Sequence, residues 1–148
     1  MRKVMGQTVQ GYVSSRVFRG NWVPQRAQNI IIRDYCKINQ LNYQLSATEY
    51  AFEDSFVMLA SILAVDNEIE GIVFYSMFQL PLVPELRRQI YSNAREQGKI
   101  LYFSLEEKTL TSETHSFEIE EILCVNDHLF ATLPLPKFQD LLMRVDRP

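Results

Sequence analysis

Two short segments, Gly71-Ile72-Val73-Phe74-Tyr75 and Ile100-Leu101-Tyr102-Phe103, carry almost no polar side chain. A strand with one face in water alternates polar and apolar residues, so a run without alternation has to be covered on both faces. This requirement points to a largely parallel sheet held between layers of helix. The intervening segments supply the helices. The chain has 148 residues, 47% of them hydrophobic, enough for one core of ordinary size.

Read from the N-terminus, Val9 to Ser15 forms a first strand in which Val9, Gly11 and Val13 alternate with Gln10 and Tyr12. Arg16 to Trp22 is a polar loop, with Gly20-Asn21 as its turn signal. Pro24 suits the first turn of a helix running to Asn39, whose inner stripe is Ala27, Ile30, Ile31, Tyr35 and Ile38. A second strand, Leu41 to Leu45, leads into Ser46-Ala47-Thr48-Glu49, an S-x-x-E capping box that opens a second helix. Phe52, Phe56, Leu59, Ala60 and Leu63 share a face of that helix, which ends near Asp66-Asn67. The third strand lies within Ile69 to Met77, and Pro81 and Pro84 end it and start a helix with inner stripe Leu86, Ile90 and Ala94. Gly98 is its C-terminal stop and Lys99 to Leu105 the fourth strand. Glu107 to His115 reads as a loop or an edge hairpin, and Phe117 to Val125 as a helix, with a strand as the alternative. The expected fold is α/β, a single three-layer domain over residues 1–132 with a mainly parallel sheet of four or five strands. Leu133-Pro134-Leu135-Pro136 is an extended linker, and Lys137 to Val145 a short helix. Together residues 133–148 would pack on the domain or on a partner subunit.

Several functions are disfavoured. Fifteen Lys and Arg against 18 Asp and Glu leave a net charge of −3, which argues against nucleic acid as a partner. No apolar run approaches the ~18 residues of a membrane span, and no apolar segment follows the basic N-terminus as a secretory signal requires. Cys36 and Cys124 stand alone, which suits a reducing, cytoplasmic compartment. His115 and His128 lack companions at ligand spacing, so no metal site is expected. With five glycines and no phosphate-loop or dinucleotide motif, no cofactor site is expected either.

In an open parallel sheet, ligands bind beyond the carboxyl ends of the strands. The candidates there are Ser14, Ser15, Arg16 and Arg19 after the first strand, and Gln25 in the first turn of the helix that follows. Ser46, Thr48 and Glu49 follow the second strand, and Ser76 and Gln79 the third. Arg16 beside a helix N-terminus makes an anion pocket, and Glu49 is the one candidate acid or base. Each has a structural alternative: a cap for Ser46 and Glu49, solvated charge for the arginines, strand-end bonding for Ser14 and Ser15, a turn for Gln79. Cys36 reads as a packed thiol, and Trp22 as a loop aromatic able to stack on a ring or sugar face.

The blocks Gly11-Tyr12-Val13-Ser14-Ser15-Arg16, Val23-Pro24-Gln25, Ile32-Arg33-Asp34-Tyr35-Cys36, Leu45-Ser46-Ala47-Thr48-Glu49-Tyr50 and Gly71 to Pro81 resemble the sporadic carbohydrate cluster protein family. That resemblance implies a role in bacterial surface-polysaccharide biosynthesis and no established reaction. More distantly, the order of elements resembles the serine recombinase (resolvase) catalytic domain, whose first strand reads G-Y-x-R-x-S. Here Gly11-Tyr12 are kept, Ser14 stands where the arginine belongs and Arg16 where the nucleophilic serine belongs. Where recombinases carry D-R-L-x-R, this chain has Phe78-Gln79-Leu80-Pro81-Leu82, so the charge clamp for phosphoryl transfer is missing. The sheet is thus resolvase-like or flavodoxin-like. The leading functional expectation is binding of a sugar acid, sugar phosphate or nucleotide sugar at the sheet's carboxyl edge, with cofactor-free isomerase, epimerase or lyase chemistry. The alternatives are a non-catalytic interaction or regulatory subunit and a degenerate resolvase-like domain. A homodimer is a further expectation.

Overall fold

The computed structural model describes residues 6–52, 55–64, 68–111 and 113–132. The expected linker and short helix of residues 133–148 lie outside them. The elements run β1 (Thr8–Val13), α1 (Gln25–Ile38), β2 (Asn42–Thr48), α2 (Val57–Ala64), β3 (Gly71–Phe74), a 3-10 turn (Met77–Gln79), α3 (Pro84–Glu96), β4 (Ile100–Phe103), β5 (Lys108–Leu110) and α4 (Glu113–Thr132). The sheet has five strands in the order β2-β1-β3-β4-β5, parallel except for the short edge hairpin that pairs β5 with β4.

The pleat sorts each strand's side chains into two cores. Val9, Val13 and Val73 meet Ile32 and Cys36 of α1 on one face. Tyr12, Ile72, Phe74, Leu101 and Phe103 meet α2, α3 and α4 on the other. Neighbouring register positions on β1, β3 and β4 hold Tyr12, Phe74 and Phe103. Their rings contact at centroid distances of 5.2 Å and 5.0 Å, a fully buried aromatic rung across the sheet centre. The β3 and β4 runs are buried on both faces or nearly so, as their composition requires.

Four local readings need correction. The S-x-x-E sequence is not a cap opening a helix: β2 continues through Thr48, and α2 starts only at Val57. Phe52 and Phe56 precede α2, and Ala60 faces solvent, so the buried stripe is Leu59, Ile62 and Leu63. The core face of α1 is Gln28, Ile32 and Cys36, whereas Ile30, Ile31 and Ile38 are exposed. In α3, Arg87 and Tyr91 join Ile90 and Ala94 on the inner side, and Leu86 is exposed. Helix is the form taken beyond Phe117, with Ile119 and Leu123 buried one turn apart. Arg87 and Tyr91 both bind Glu120 of α4, with Arg87 Nε and Nη2 each 2.7 Å from its carboxylate.

Gly71 begins β3 where the chain passes close to β4. A Cβ there would lie 2.8 Å from the Ile100 carbonyl oxygen and 2.9 Å from the Tyr102 ring. The carbonyl is backbone and cannot swing aside. A Gly71→Ala variant is expected to lose about 1–3 kcal/mol of stability, read from urea denaturation midpoints.

Candidate functional site at the switch point

Strand order reverses between β1 and β3, so the connections that leave their carboxyl ends pass to opposite faces of the sheet and open a crevice there. Amide side chains fill its floor. Ser14 donates its backbone N–H to Gln28 Oε1 (3.1 Å), and Gln28 Nε2 donates back to the Ser14 carbonyl (2.7 Å) and to that of Val23 (2.8 Å). Gln79 Nε2 donates to Gln28 Oε1 (3.1 Å) and to the Ser14 hydroxyl (3.3 Å). Ser76 caps the 3-10 turn: its hydroxyl accepts the Phe78 N–H, and its own N–H goes to Gln79 Oε1. The Ser76 hydroxyl also donates to Glu106 (2.6 Å). Ser14, Gln28, Ser76 and Gln79 are all buried, so the network ties strand ends together and leaves none of these four open to solvent. Gln28 carried no motif; its only sequence signal is the i, i+4, i+8 spacing with Ile32 and Cys36.

Glu49 follows β2 and is buried, at 2% exposure. Its Oε1 accepts the Tyr12 hydroxyl (2.8 Å) and the Leu59 N–H (3.2 Å). Its Oε2 accepts the N–H groups of Tyr50 and Met58 and the Ser55 hydroxyl, all at 3.1 Å. The carboxylate thus caps α2 from outside the helix. Burial alone would raise its pKa, but the bonds from Met58, Tyr12, Leu59 and Tyr50 outweigh it and hold the group below the ordinary carboxylate range. A saturated, low-pKa carboxylate suits a cap rather than an acid or base. Tyr12 is shifted upward, first by burial and then by Glu49, with Arg16 acting in the opposite sense.

Arg16 leaves β1 toward α2. Its Nη1 donates to the Ser55 carbonyl, and its guanidinium carbon lies 4.4 Å from the centre of the Phe56 ring. Its Nη2 is buried and, among the described residues, has no hydrogen-bond partner. Beside it opens a hollow of about 330 Å³, walled by Arg16, Phe18, Phe56, Phe78, Gln79 and Leu80 among others.

Arg19 lines the same hollow, but its charge is already engaged. Its guanidinium binds Asp127 of α4 (2.8 Å) and the carbonyls of Phe78 (2.9 Å), Leu80 and Pro81 (3.1 Å). It also occupies the left-handed region (φ 49), followed by Gly20 (φ 80), in a turn closed by reciprocal bonds between Phe18 and Asn21. Arg19 is therefore a tie between the β1 loop, the segment after β3 and α4.

The remaining candidates do not converge on the hollow. Ser46 faces α1, where its hydroxyl donates to Asn29 (2.6 Å) and pairs with Tyr43 (2.7 Å). Thr48 is exposed at the end of β2, and Gln25 begins α1. Ser15 is half-buried and accepts the Trp22 indole N–H through its carbonyl, at 3.2 Å. Cys36 and Cys124 are free, and burial pushes the Cys36 thiol up to about 11, away from nucleophilic use. Among the described residues no group of three or more His, Cys, Asp and Glu is placed to hold a metal, and no helix is long and apolar enough to cross a membrane.

With these elements in place, comparison with solved structures finds the same fold. The N-terminal catalytic domain of TP901-1 integrase superposes with a TM-score of 0.55 at 13% identity, covering 92% of this chain and 98% of that one. A resolvase family site-specific recombinase from Streptococcus pneumoniae gives a TM-score of 0.57 at 7% identity, covering 94% and 99%. The fold is thus that of the resolvase catalytic domain, and at these identities the likeness extends to the fold alone. No protein-family model matches the sequence, and no curated protein matches it, so nothing here supports the resemblance to the sporadic carbohydrate cluster family.

The depressed pKa of Glu49 has a sign that can be tested. Its contribution to stability is present above the unfolded carboxylate value, about pH 4.3, and drains away as pH falls below it toward the folded value. Glu49→Gln is expected to lose about 2–3 kcal/mol at neutral pH. It should also show a shallower loss of stability below about pH 5, measured as urea midpoints across pH. Glu120, also held low against its burial by Arg87 and Tyr91, keeps part of the acid dependence in that variant.

Proposed function

We propose that this chain is a resolvase-fold domain without strand-exchange chemistry, and that it binds a small anion in the hollow beside Arg16. The carrying observation is the Nη2 of Arg16, buried at the wall of the hollow with no hydrogen-bond partner among the described residues. Such a donor costs about 1–3 kcal/mol, and a phosphate or carboxylate oxygen would supply the missing acceptor. The degenerate reading has its own support. A guanidinium occupies the position of the recombinase nucleophile, and Ser14, in the arginine position, is fully buried. The segment corresponding to the recombinase charge clamp carries Gln79 and Leu82 in place of its arginines.

The sequence blocks of the carbohydrate-cluster resemblance narrow the anion to a sugar acid, sugar phosphate or nucleotide sugar in surface-polysaccharide biosynthesis. That narrowing rests on those blocks alone. Isomerase, epimerase or lyase chemistry would need an acid–base group, and the described residues lining the hollow include no carboxylate. Binding without turnover is therefore the favoured form. A role as an interaction subunit has one observation of its own, an apolar hollow of about 790 Å³ along α4 bordered by Phe78, Ile122, Val125 and Leu129.

A thermal-shift screen tests the reading. Inorganic phosphate, sugar phosphates, sugar acids and nucleotide sugars are expected to raise Tm, neutral sugars are not, and Arg16→Ala should abolish the rise. Equal shifts from neutral sugars, or an Arg16→Ala protein that responds like the parent, would defeat it. Supercoiled DNA incubated with the protein is expected to show no cleavage and no covalent protein adduct.

A further inference from the structure

The larger core reaches the surface along α4. Ile119 and Leu123 are buried in it, and half-buried Phe78 and Ile122 pack against it from outside. Beside them Val125 and Leu129 are 60% and 58% exposed. Ile122, Val125 and Leu129 stand at i, i+3 and i+7, within about 60° of the helix circumference at about 100° per residue. Between Ile122 and Leu129 no charged side chain falls within that arc. With Phe78 these residues border the hollow of about 790 Å³. Its polar members lie to either side of the row, half-buried Asn126 on the flank toward the core and exposed Glu121 and Cys124 on the other.

The described residues end at Thr132, three residues past Leu129. The sequence that follows has the complement of this row. Leu133-Pro134-Leu135-Pro136 suits a break: the residue before a proline is disfavoured in a helix, and four residues match the connection of an antiparallel helix pair. Beyond it Phe138, Leu141, Leu142 and Val145 fall at i, i+3, i+4 and i+7. That stripe spans seven residues, as does the row from Ile122 to Leu129, which makes each about 10 Å long. Lys137 and Arg144 share one flank of the stripe, and Gln139 is on the other.

We propose that residues 133–148 fold back and lay Phe138, Leu141, Leu142 and Val145 into the α4 hollow of their own chain. The two helices run antiparallel, with Leu142 opposite Val125 and Phe138 opposite Leu129. In that arrangement the flanks agree: Arg144 comes beside Glu121, and Gln139 to the Asn126 side. The contact extends the core over Phe78 and Ile122 and closes the hollow to a separate protein. Neither Arg16 nor a bound anion takes part in it.

Disulfide trapping in the full chain, with copper phenanthroline as oxidant, tests the contact in a Cys124→Ser background that removes the exposed thiol. Val125→Cys with Leu142→Cys is expected to close within one chain, giving a band that runs faster than the reduced chain on a non-reducing gel and reverts with dithiothreitol. Val125→Cys with Asp140→Cys, whose second thiol stands on the outer side of the docked segment, is expected to close about tenfold more slowly, because its Cβ vectors point apart. Leu142→Asp should lower Tm by about 5 °C, and Asp140→Ser should leave it unchanged. Equal rates for the two cysteine pairs, or an unchanged Tm in Leu142→Asp, would overturn the proposal, since an unseated segment has no preferred face. So would a Val125–Leu142 disulfide formed only between chains, which would make a second copy the occupant.

Discussion

The arrangement depends on one buried carboxylate. Glu49 takes five hydrogen bonds from three places: the Tyr12 hydroxyl on β1, the segment after β2 through Tyr50 and Ser55, and the first turn of α2 through Met58 and Leu59. α2 has eight residues, too few to be stable alone, and its leading N–H groups find their acceptor in Glu49 rather than in a neighbouring side chain. The same bonds fix Ser55 and so the carbonyl that holds Arg16. Remove the negative charge and the α2 cap, the Tyr12 anchor and the seat of the guanidinium loosen together. Glu49 shapes the site without lining it.

The resolvase topology puts a crevice between β1 and β3, and this chain fills it in its own way. All four hydrogen-bonding positions of the Gln28 amide are in use, toward Ser14, Val23 and Gln79. A buried amide satisfied this fully is a structural brace, since any ligand displacing it would have to replace each bond. Open space appears instead to one side, between the β1 loop, Phe56 and the segment after β3, where Arg16 supplies charge and Phe56 and Phe78 supply apolar walls. The fold alone therefore does not set the chemistry of this crevice, because function resides in side chains and not in topology.

Legibility in the sequence followed burial. β3 and β4 were readable because burial on both faces leaves an uninterrupted apolar run, and α3 because Pro84 opens it and Gly98, at φ 66, follows its end. β2 and α2 were misread because S-x-x-E has one meaning before a helix and another at the end of a strand, and the difference lies in a tertiary partner eight or more residues away. The core face of α1 was misread because a glutamine is one of its three buried residues, and a polar residue on a stripe counts against that stripe until its partners are known. Arg16 was legible as the cation at the end of the first strand. Arg19, a ligand candidate after the same strand, is tied to Asp127, more than a hundred residues along the chain, which no local pattern reveals.

The misread helix links the floor of the crevice to the exposed side of the fold. One side of α1 carries Gln28, the brace between Ser14 and Gln79; the other carries Ile30 and Ile31, two and three residues further on. An α-helix transmits displacement along and across its axis as a nearly rigid rod, because each turn is fixed by its own hydrogen bonds. Gln28 has no slack to absorb such a displacement, with every donor and acceptor engaged. The position of α1 over the sheet and the geometry of the β1 and β3 strand ends are therefore set together, and the outward isoleucines belong to the element that holds the floor of the site.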